Sequence, residues 1–390
     1  MGVRRAIGSF RYRKRGNTHM PQLACVDLFC GVGGLTHGLI SEGIPVAAGI
    51  DVDVACSYPF EINNGARFIP EDISHLMPEM LEEQFGSAEI RVLAGCAPCQ
   101  PFSTYAQRYD GKNSTRWGLL YQFARLVKGS SPDLVTMENV SAVAKHEVFN
   151  DFVASLEEHG YHVWHEVVDC TQYGLPQSRK RMVLLASRHG QFELIPPTHD
   201  RAMTVRDAIS GLPPIAAGGK SANDALHTAS KLSMLNLERI RSSQPGGTWR
   251  DWPQRLVAEC HRRETGKTYP GVYGRMSWDE PAPTLTTQFY GFGNGRYGHP
   301  EQDRGISLRE GAILQGFPES YIFTREGNPA QFKALGRMIG NAVPVTLGKV
   351  IGRSIFRHLG IEQKIRANTE STEHMVRGVD TDATREALVA

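Results

Sequence analysis

The stretch Leu23-Ala24-Cys25-Val26-Asp27-Leu28-Phe29-Cys30-Gly31-Val32-Gly33-Gly34 decides the fold. Its first part, apolar but for one acid, predicts a short strand buried on both faces; the glycines predict a tight turn into a helix that runs to Glu42. Working outward, Val46 to Ile50, Ile90 to Ala94, Leu134 to Met137 and Met182 to Ala186 predict further short strands. Leu120-Phe123-Ala124-Val127 and Phe149-Phe152-Val153-Leu156 carry helical spacing between them. Strand and helix in alternation predict an α/β fold with a mostly parallel, doubly wound sheet.

A glycine turn between first strand and first helix lets a ligand approach backbone closely and aims helix N–H groups at it. Asp51, twenty positions beyond Gly31, ends the second strand, where a carboxylate can accept hydrogen bonds from ribose hydroxyls. NAD and S-adenosylmethionine both satisfy this pattern. The dinucleotide spacing G-x-G-x-x-G is incomplete, because Thr36 stands at its third glycine; that weighs against a pyrophosphate-bearing ligand.

The 390 residues, 41% hydrophobic and 22% charged, suffice for one large domain and a smaller one. A net charge of +2 is compatible with a basic groove balanced by acid elsewhere. No apolar run approaches the roughly 18 residues of a membrane span, and the N-terminus lacks a secretory apolar core. Seven cysteines without regular spacing do not make a disulfide framework, so a reducing, cytoplasmic setting is expected.

The texture divides the chain into a basic arm (1–20), an α/β domain (21–197), a smaller irregular domain (198–325), a helical C-terminal segment (326–362) and a polar tail (363–390). The arm carries Arg4, Arg5, Arg11, Arg13, Lys14 and Arg15; phosphate contact and mere solvation both account for it. The irregular domain is rich in Gly, Pro, Ser and Arg with interspersed aromatics. Helical pattern resumes at Leu308 to Gln315 and at Phe332 to Leu359.

The third strand runs into Gly95-Cys96-Ala97-Pro98-Cys99-Gln100-Pro101-Phe102-Ser103. A zinc half-site would need a second close pair, which Cys25, Cys30, Cys56, Cys170 and Cys260 do not form. A redox Cys-Ala-Pro-Cys turn belongs to far smaller folds and leaves the glycine turn unexplained. A nucleophile at a strand end, in a loop stiffened by Pro98 and Pro101, fits a third reading, and an inert buried thiol is the fourth. Downstream, Met137-Glu138-Asn139-Val140 puts a carboxylate at a strand's carboxyl end. In Gln177-Ser178-Arg179-Lys180-Arg181 the alternation sets Arg179 and Arg181 on one side, to grip phosphate or a base carbonyl or to form a solvated basic edge.

These segments together resemble the DNA cytosine-5 methyltransferase family of bacterial restriction-modification type. The match comprises Asp27 to Gly34, Pro98-Cys99-Gln100 with Phe102-Ser103, Glu138-Asn139-Val140, Gln177 to Arg181, Arg309-Glu310 with Leu314-Gln315-Gly316-Phe317-Pro318, and Gly340-Asn341-Ala342-Val343-Pro344. The motifs stand in family order across residues 23–355.

The resemblance implies an enzyme moving a methyl group from S-adenosylmethionine to carbon 5 of a flipped-out cytosine through a covalent Cys99 adduct. Arg179 is the first candidate for lowering the thiol pKa and meeting the base carbonyl, Arg181 the second, and Glu138 would bond N3 and the amino group. Phe29, Gly31, Gly33, Gly34, Asp51, Val52, Asp72, Ile73, Pro98, Leu120 and Asn341 would surround the cofactor, with no metal. Residues 21–197 would be the catalytic and cofactor-binding domain, and 326–362 a return to it. Phe102 to Trp117 would form a lid. The small domain, with Thr284-Leu285-Thr286-Thr287, would read double-stranded DNA. A monomer paired with a cognate restriction endonuclease, working on DNA in a bacterial cytoplasm, is expected. Cys96 is expected to be a bystander, tolerant of serine. A tRNA cytosine-5 methyltransferase, an inactive nucleic-acid-binding module and an oxidoreductase using Cys96 and Cys99 are the alternatives.

Overall fold

The computed structural model describes residues 21–98, 118–266 and 270–361. The basic arm, Cys99, the 102–117 loop and the 363–390 tail lie outside the described residues.

β1 (Leu23–Leu28), β2 (Val46–Ile50), β3 (Arg67–Ile69), β4 (Ile90–Gly95), β5 (Leu134–Val140), β6 (His162–Asp169) and β8 (Lys180–Ser187) form one seven-stranded sheet in the order β3-β2-β1-β4-β5-β8-β6. β1 to β5 pair in parallel, whereas β8 is antiparallel to both β5 and β6. Both faces of β1 are buried, and its side chains alternate between two cores: Leu23 and Cys25 join one, Ala24, Val26 and Leu28 the other. That is why the strand reads as a continuous apolar run.

α1 (Gly34–Ser41), α2 (Ser57–Asn64), α3 (Pro78–Phe85), α4 (Gly118–Ser130) and α5 (Glu147–Glu158) fill the crossovers. α4 buries Leu120, Phe123, Leu126 and Val127, and α5 buries Val148, Phe149, Phe152 and Leu156, each one stripe of a 3.6-residue period. β6 escapes the sequence pattern because, as an edge strand, it buries only Val168 fully. β3 is too short to show a period.

Between residues 198 and 306 the described chain holds only short elements, among them α6 (Val205–Ile209), α7 (Met234–Arg241), α8 (Glu259–Arg262) and β9 (Ala282–Pro283), which pairs in parallel with β7 (Gln177–Ser178). Ile240, Trp249, Trp252, Leu256 and Phe292 form a small core of their own, but Val205, Ile209, Leu226, Met276, Leu285 and Phe289 belong to the larger core. α9 (Leu308–Leu314) starts at a capping box between Ser307 and Glu310.

The helical pattern from Phe332 to Leu359 is two helices, α10 (Phe332–Asn341) and α11 (Val345–Leu359), because Pro344 lacks the N–H that a continuous helix needs. α11 packs on α1 at glycine-to-glycine range: a Cβ on Gly38 would stand 2.4 Å from the Val345 carbonyl and 2.6 Å from Gly348 Cα. This contact returns the C-terminal segment to the glycine turn.

Candidate active site

β1 pairs with β2 on one side and β4 on the other, so the order reverses there and a crevice opens outside the carboxyl ends of the parallel strands. Phe29, Asp51, Cys96 and Glu138 all fall at that edge, following or ending β1, β2, β4 and β5. Because β8 runs the opposite way, its beginning lies at the same edge and brings Arg181 beside β5.

The glycine turn is bent at Phe29 (φ 57°) and Gly31 (φ 51°). A left-handed φ is uncommon for a phenylalanine and marks a turn held by its surroundings. The Gly31 N–H donates to Oδ2 of Asp51 at 2.9 Å, and the Asp53 N–H donates to Oδ1 at 2.9 Å. Both carboxylate oxygens are thereby oriented, while burial pushes the carboxyl pKa up. A Cβ on Gly31 would meet nothing within 4 Å among the described residues. Gly33 and Gly34 are demanded by the protein itself: a Cβ would lie 2.6 Å from the Asn64 side-chain nitrogen or 2.2 Å from the Val343 carbonyl. Val52 is 70% exposed, an apolar surface beside Asp51. Asp72 folds back on its own turn, accepting from the Ser74 N–H at 2.8 Å and hydroxyl at 2.7 Å, which hold its pKa down. Ile73 and Leu120 are buried in the second core, Pro98 is exposed, and Asn341 is exposed at the end of α10.

Thr36 gives the missing third glycine a physical meaning. Its hydroxyl donates to Oδ2 of buried Asp27 at 2.6 Å, joining α1 to β1 where a third glycine would serve close helix–strand packing. Burial drives the Asp27 carboxyl up to about 7, opposed by Thr36 and assisted by the charge of Asp51. A carboxyl neutral in the fold and ionised in the unfolded chain holds a proton that unfolding releases. Its contribution is full below about pH 4 and is lost as pH rises through about 7. Asp27→Asn is therefore expected to flatten stability between pH 5 and 8. At pH 8 it should gain roughly 3–5 kcal/mol on wild type, relative to the same comparison near pH 4, read by urea unfolding.

Glu138 is 3% exposed. Arg181 Nε lies 2.9 Å from its Oε1, and Cys96 Sγ lies 2.8 Å from its Oε2. The register explains the first contact: Val140 pairs with Arg181 and Glu138 with Val183, so glutamate and arginine share a face one step apart. Asn139 points the other way and donates to the Ala97 carbonyl at 3.1 Å, tying β5 to the segment that leads to Cys99.

Arg179 and Arg181 make different contacts. Arg181 is the one that meets Glu138. Arg179 donates to Gln177 Oε1 (3.2 Å), the Leu285 carbonyl (3.2 Å) and the Gly340 carbonyl (3.3 Å). Its Nε has no partner among the described residues. Burial, with Arg181 nearby, lowers its pKa from 12.5 to about 9, so it stays charged at neutral pH. Gln177, missed in the sequence, extends this junction: its Nε2 donates to the Leu314 carbonyl at 3.0 Å and to Gln315 Oε1 at 2.8 Å, and its Oε1 accepts from Leu285 N–H at 2.9 Å. The Thr284–Leu285 element, α9 and α10 are thus joined at the strand start that carries both arginines.

No group of three or more His, Cys, Asp or Glu among the described residues could hold a metal. A buried carboxylate with one cationic and one neutral donor, beside an open glycine turn with an oriented acid, suits recognition of a neutral polar base next to a ribose-bearing ligand.

Comparison with known proteins agrees with this geometry. Residues 23–357 match the family model of the C-5 cytosine-specific DNA methylases. The chain is 52% identical over 349 residues to the Type II methylase M.HgiDII of Herpetosiphon aurantiacus, covering 88% of this chain and 98% of that protein. It is 29% identical over 340 residues to the Type II methyltransferase M.Sau96I of Staphylococcus aureus, covering 85% and 75%. In fold it resembles a prophage-encoded Escherichia coli protein of known crystal structure (TM-score 0.66, 23% identity, 87% and 99% covered). From residue 23 to residue 357, then, the chain belongs to the C-5 cytosine-specific DNA methylase family.

Proposed function

We propose that this DNA cytosine-5 methyltransferase acts on a flipped-out cytosine of a specific duplex site through a covalent adduct at Cys99, as the modification half of a restriction-modification system. The observation that carries the catalytic assignment is the Glu138 carboxylate, buried at the carboxyl end of β5 with Arg181 on one oxygen, at the edge where β4 leads to Cys99.

Carbon 5 of cytosine is a poor nucleophile until a group adds at carbon 6. The Cys99 thiolate forms the sulfur–carbon 6 bond, and the electron pair of the 5,6 double bond makes carbon 5 enamine-like. A free thiol has a pKa near about 8.5, so the positive charge of Arg181 and Arg179 favours the thiolate. Glu138 accepts a hydrogen bond from the amino group and, in its protonated form, donates one to N3, placing a proton where negative charge develops on the ring. Arg181, already beside Glu138, meets the base carbonyl; Arg179 holds the strand start against the 284–285 and 340 segments. Once carbon 5 has taken up the methyl group, loss of its proton re-forms the 5,6 double bond and expels Cys99. The base must leave the helix to reach these groups, at a cost of a few kcal/mol.

The residues present fit S-adenosylmethionine. Gly31 leaves room for a ligand among the described residues, Asp51 offers an oriented carboxylate to a ribose diol, and Val52 offers an apolar face to adenine. Phe29, Gly33, Gly34, Asp72, Ile73, Pro98, Leu120 and Asn341 complete the proposed surround. When bound, this cofactor supplies an electrophilic methyl group on a sulfonium.

Division of the chain into a catalytic domain (21–197), a target-recognition domain (198–325) and a C-terminal return (326–362) accompanies the reading, as do a monomeric state, a cognate endonuclease and action on DNA in a bacterial cytoplasm. No described helix is long and apolar enough to cross a membrane. Bisulfite sequencing of DNA from a host expressing the chain is expected to show one recurrent protected site. Methyl incorporation into tRNA but not duplex DNA would overturn the choice of substrate.

A further inference from the structure

Cys96 lies immediately beyond β4, and its N–H donates to the Leu28 carbonyl at 3.2 Å, so its backbone is anchored to the end of β1. From there its Sγ reaches Oε2 of Glu138 at 2.8 Å. The mechanism above uses the glutamate and leaves this thiol without a task. A carboxylate held at one oxygen turns readily about its last side-chain torsion, whose energy profile is broad. Glu138 is held at both: Arg181 Nε on Oε1 from β8, the thiol on Oε2 from β4. The two donors sit on the strands flanking β5, so together they set the plane of the carboxylate. Arg179, with its unpartnered Nε, is buried within electrostatic reach of Glu138, Arg181 and Cys96.

The donors differ in strength. Arg181 brings a charged hydrogen bond; a thiol is a weak donor. A weak partner orients Oε2 while the site is open and gives way cheaply when the amino group of cytosine arrives. Resting on the reading of Glu138 as the group that meets the base, we propose that Cys96 is a positioning residue: its S–H donates to Oε2 and holds the carboxylate in the plane the cytosine requires.

Cys96→Ala and Cys96→Ser separate this role from packing. Serine keeps a donor of similar length, alanine removes it. Single-turnover and steady-state methylation of a duplex bearing the target site should show kcat lowered about tenfold in Cys96→Ala, with KM for DNA little changed. Cys96→Ser should recover to within about threefold of wild type, and the melting temperatures of both should stay near wild type. Equal losses in both variants, a loss carried by KM or melting temperature alone, or a wild-type kcat in Cys96→Ala would each overturn the proposal. The underlying reading fails differently: it would show as absent methylation in the wild type or full methylation in Cys99→Ser.

Discussion

Cys99→Ser is expected to lower methyl transfer to duplex DNA by at least about a thousandfold while leaving cofactor affinity nearly unchanged. An alcohol is far less acidic than a thiol, so the positive charge of Arg181 and Arg179 yields almost no alkoxide at neutral pH. The groups proposed to face the cofactor belong to the glycine turn and to Asp51, whose oxygens accept from the Gly31 and Asp53 N–H groups and not from residue 99. Calorimetric titration with S-adenosylmethionine and scintillation counting of incorporated methyl separate the two quantities. Loss of both together would mean that the substitution had disturbed the fold of the crevice.

The second large effect is on stability. Arg304 is fully buried, and its two terminal nitrogens each lie 2.7 Å from an oxygen of Glu310. Its Nε donates to the Ile215 carbonyl at 3.1 Å and to Gln302 Oε1 at 2.9 Å, so every part of the guanidinium is satisfied. Burial pushes the Glu310 carboxyl up, but the paired arginine outweighs it and holds the group below its ordinary value. His299, 3.6 Å from Glu310, cannot replace that charge, because burial lowers its pKa to about 4 and it is neutral at pH 7. Arg304→Met is therefore expected to cost about 3–5 kcal/mol, leaving a buried carboxylate with one backbone donor from Ser307 and a neutral imidazole. Thermal and urea unfolding report the loss. Pairing it with Glu310→Gln should return part of the stability, because the unpaired charge is removed.

Much of the architecture is legible in the residues because burial on both faces leaves a strong signature. β1, β2, β4 and β5 read as apolar runs for that reason. The direction of β8 does not, since periodicity is the same whichever way a strand runs; only pairing with β5 and β6 makes it antiparallel. That direction brings Arg181 to the same edge as Glu138. Alternation in the sequence is blind to which of Arg179 and Arg181 a neighbouring strand will meet. The register of β5 on β8 makes that choice, and it favours Arg181 over Arg179.

The glycines teach a similar lesson. Gly31, Gly33 and Gly34 look alike in the sequence. A Cβ on Gly31 would meet nothing within 4 Å among the described residues, while Gly33 and Gly34 admit the close approach of α2 and of the segment before α11. The Cys96 thiol on Glu138 was invisible for a further reason: the contact joins residues 42 positions apart on adjacent strands, and no local pattern announces it.

The central claim, a sulfur–carbon 6 bond made by Cys99, is tested most directly with a duplex carrying 5-fluorocytosine at the target site. Fluorine removes the proton whose loss would expel the enzyme, so the adduct should persist through denaturation. Tandem mass spectrometry of the cross-linked peptide is expected to place the nucleotide on Cys99, with Cys96 unmodified. A cross-link on Cys96, or methylation of ordinary duplex with no trapped adduct on the fluorinated one, would contradict the account.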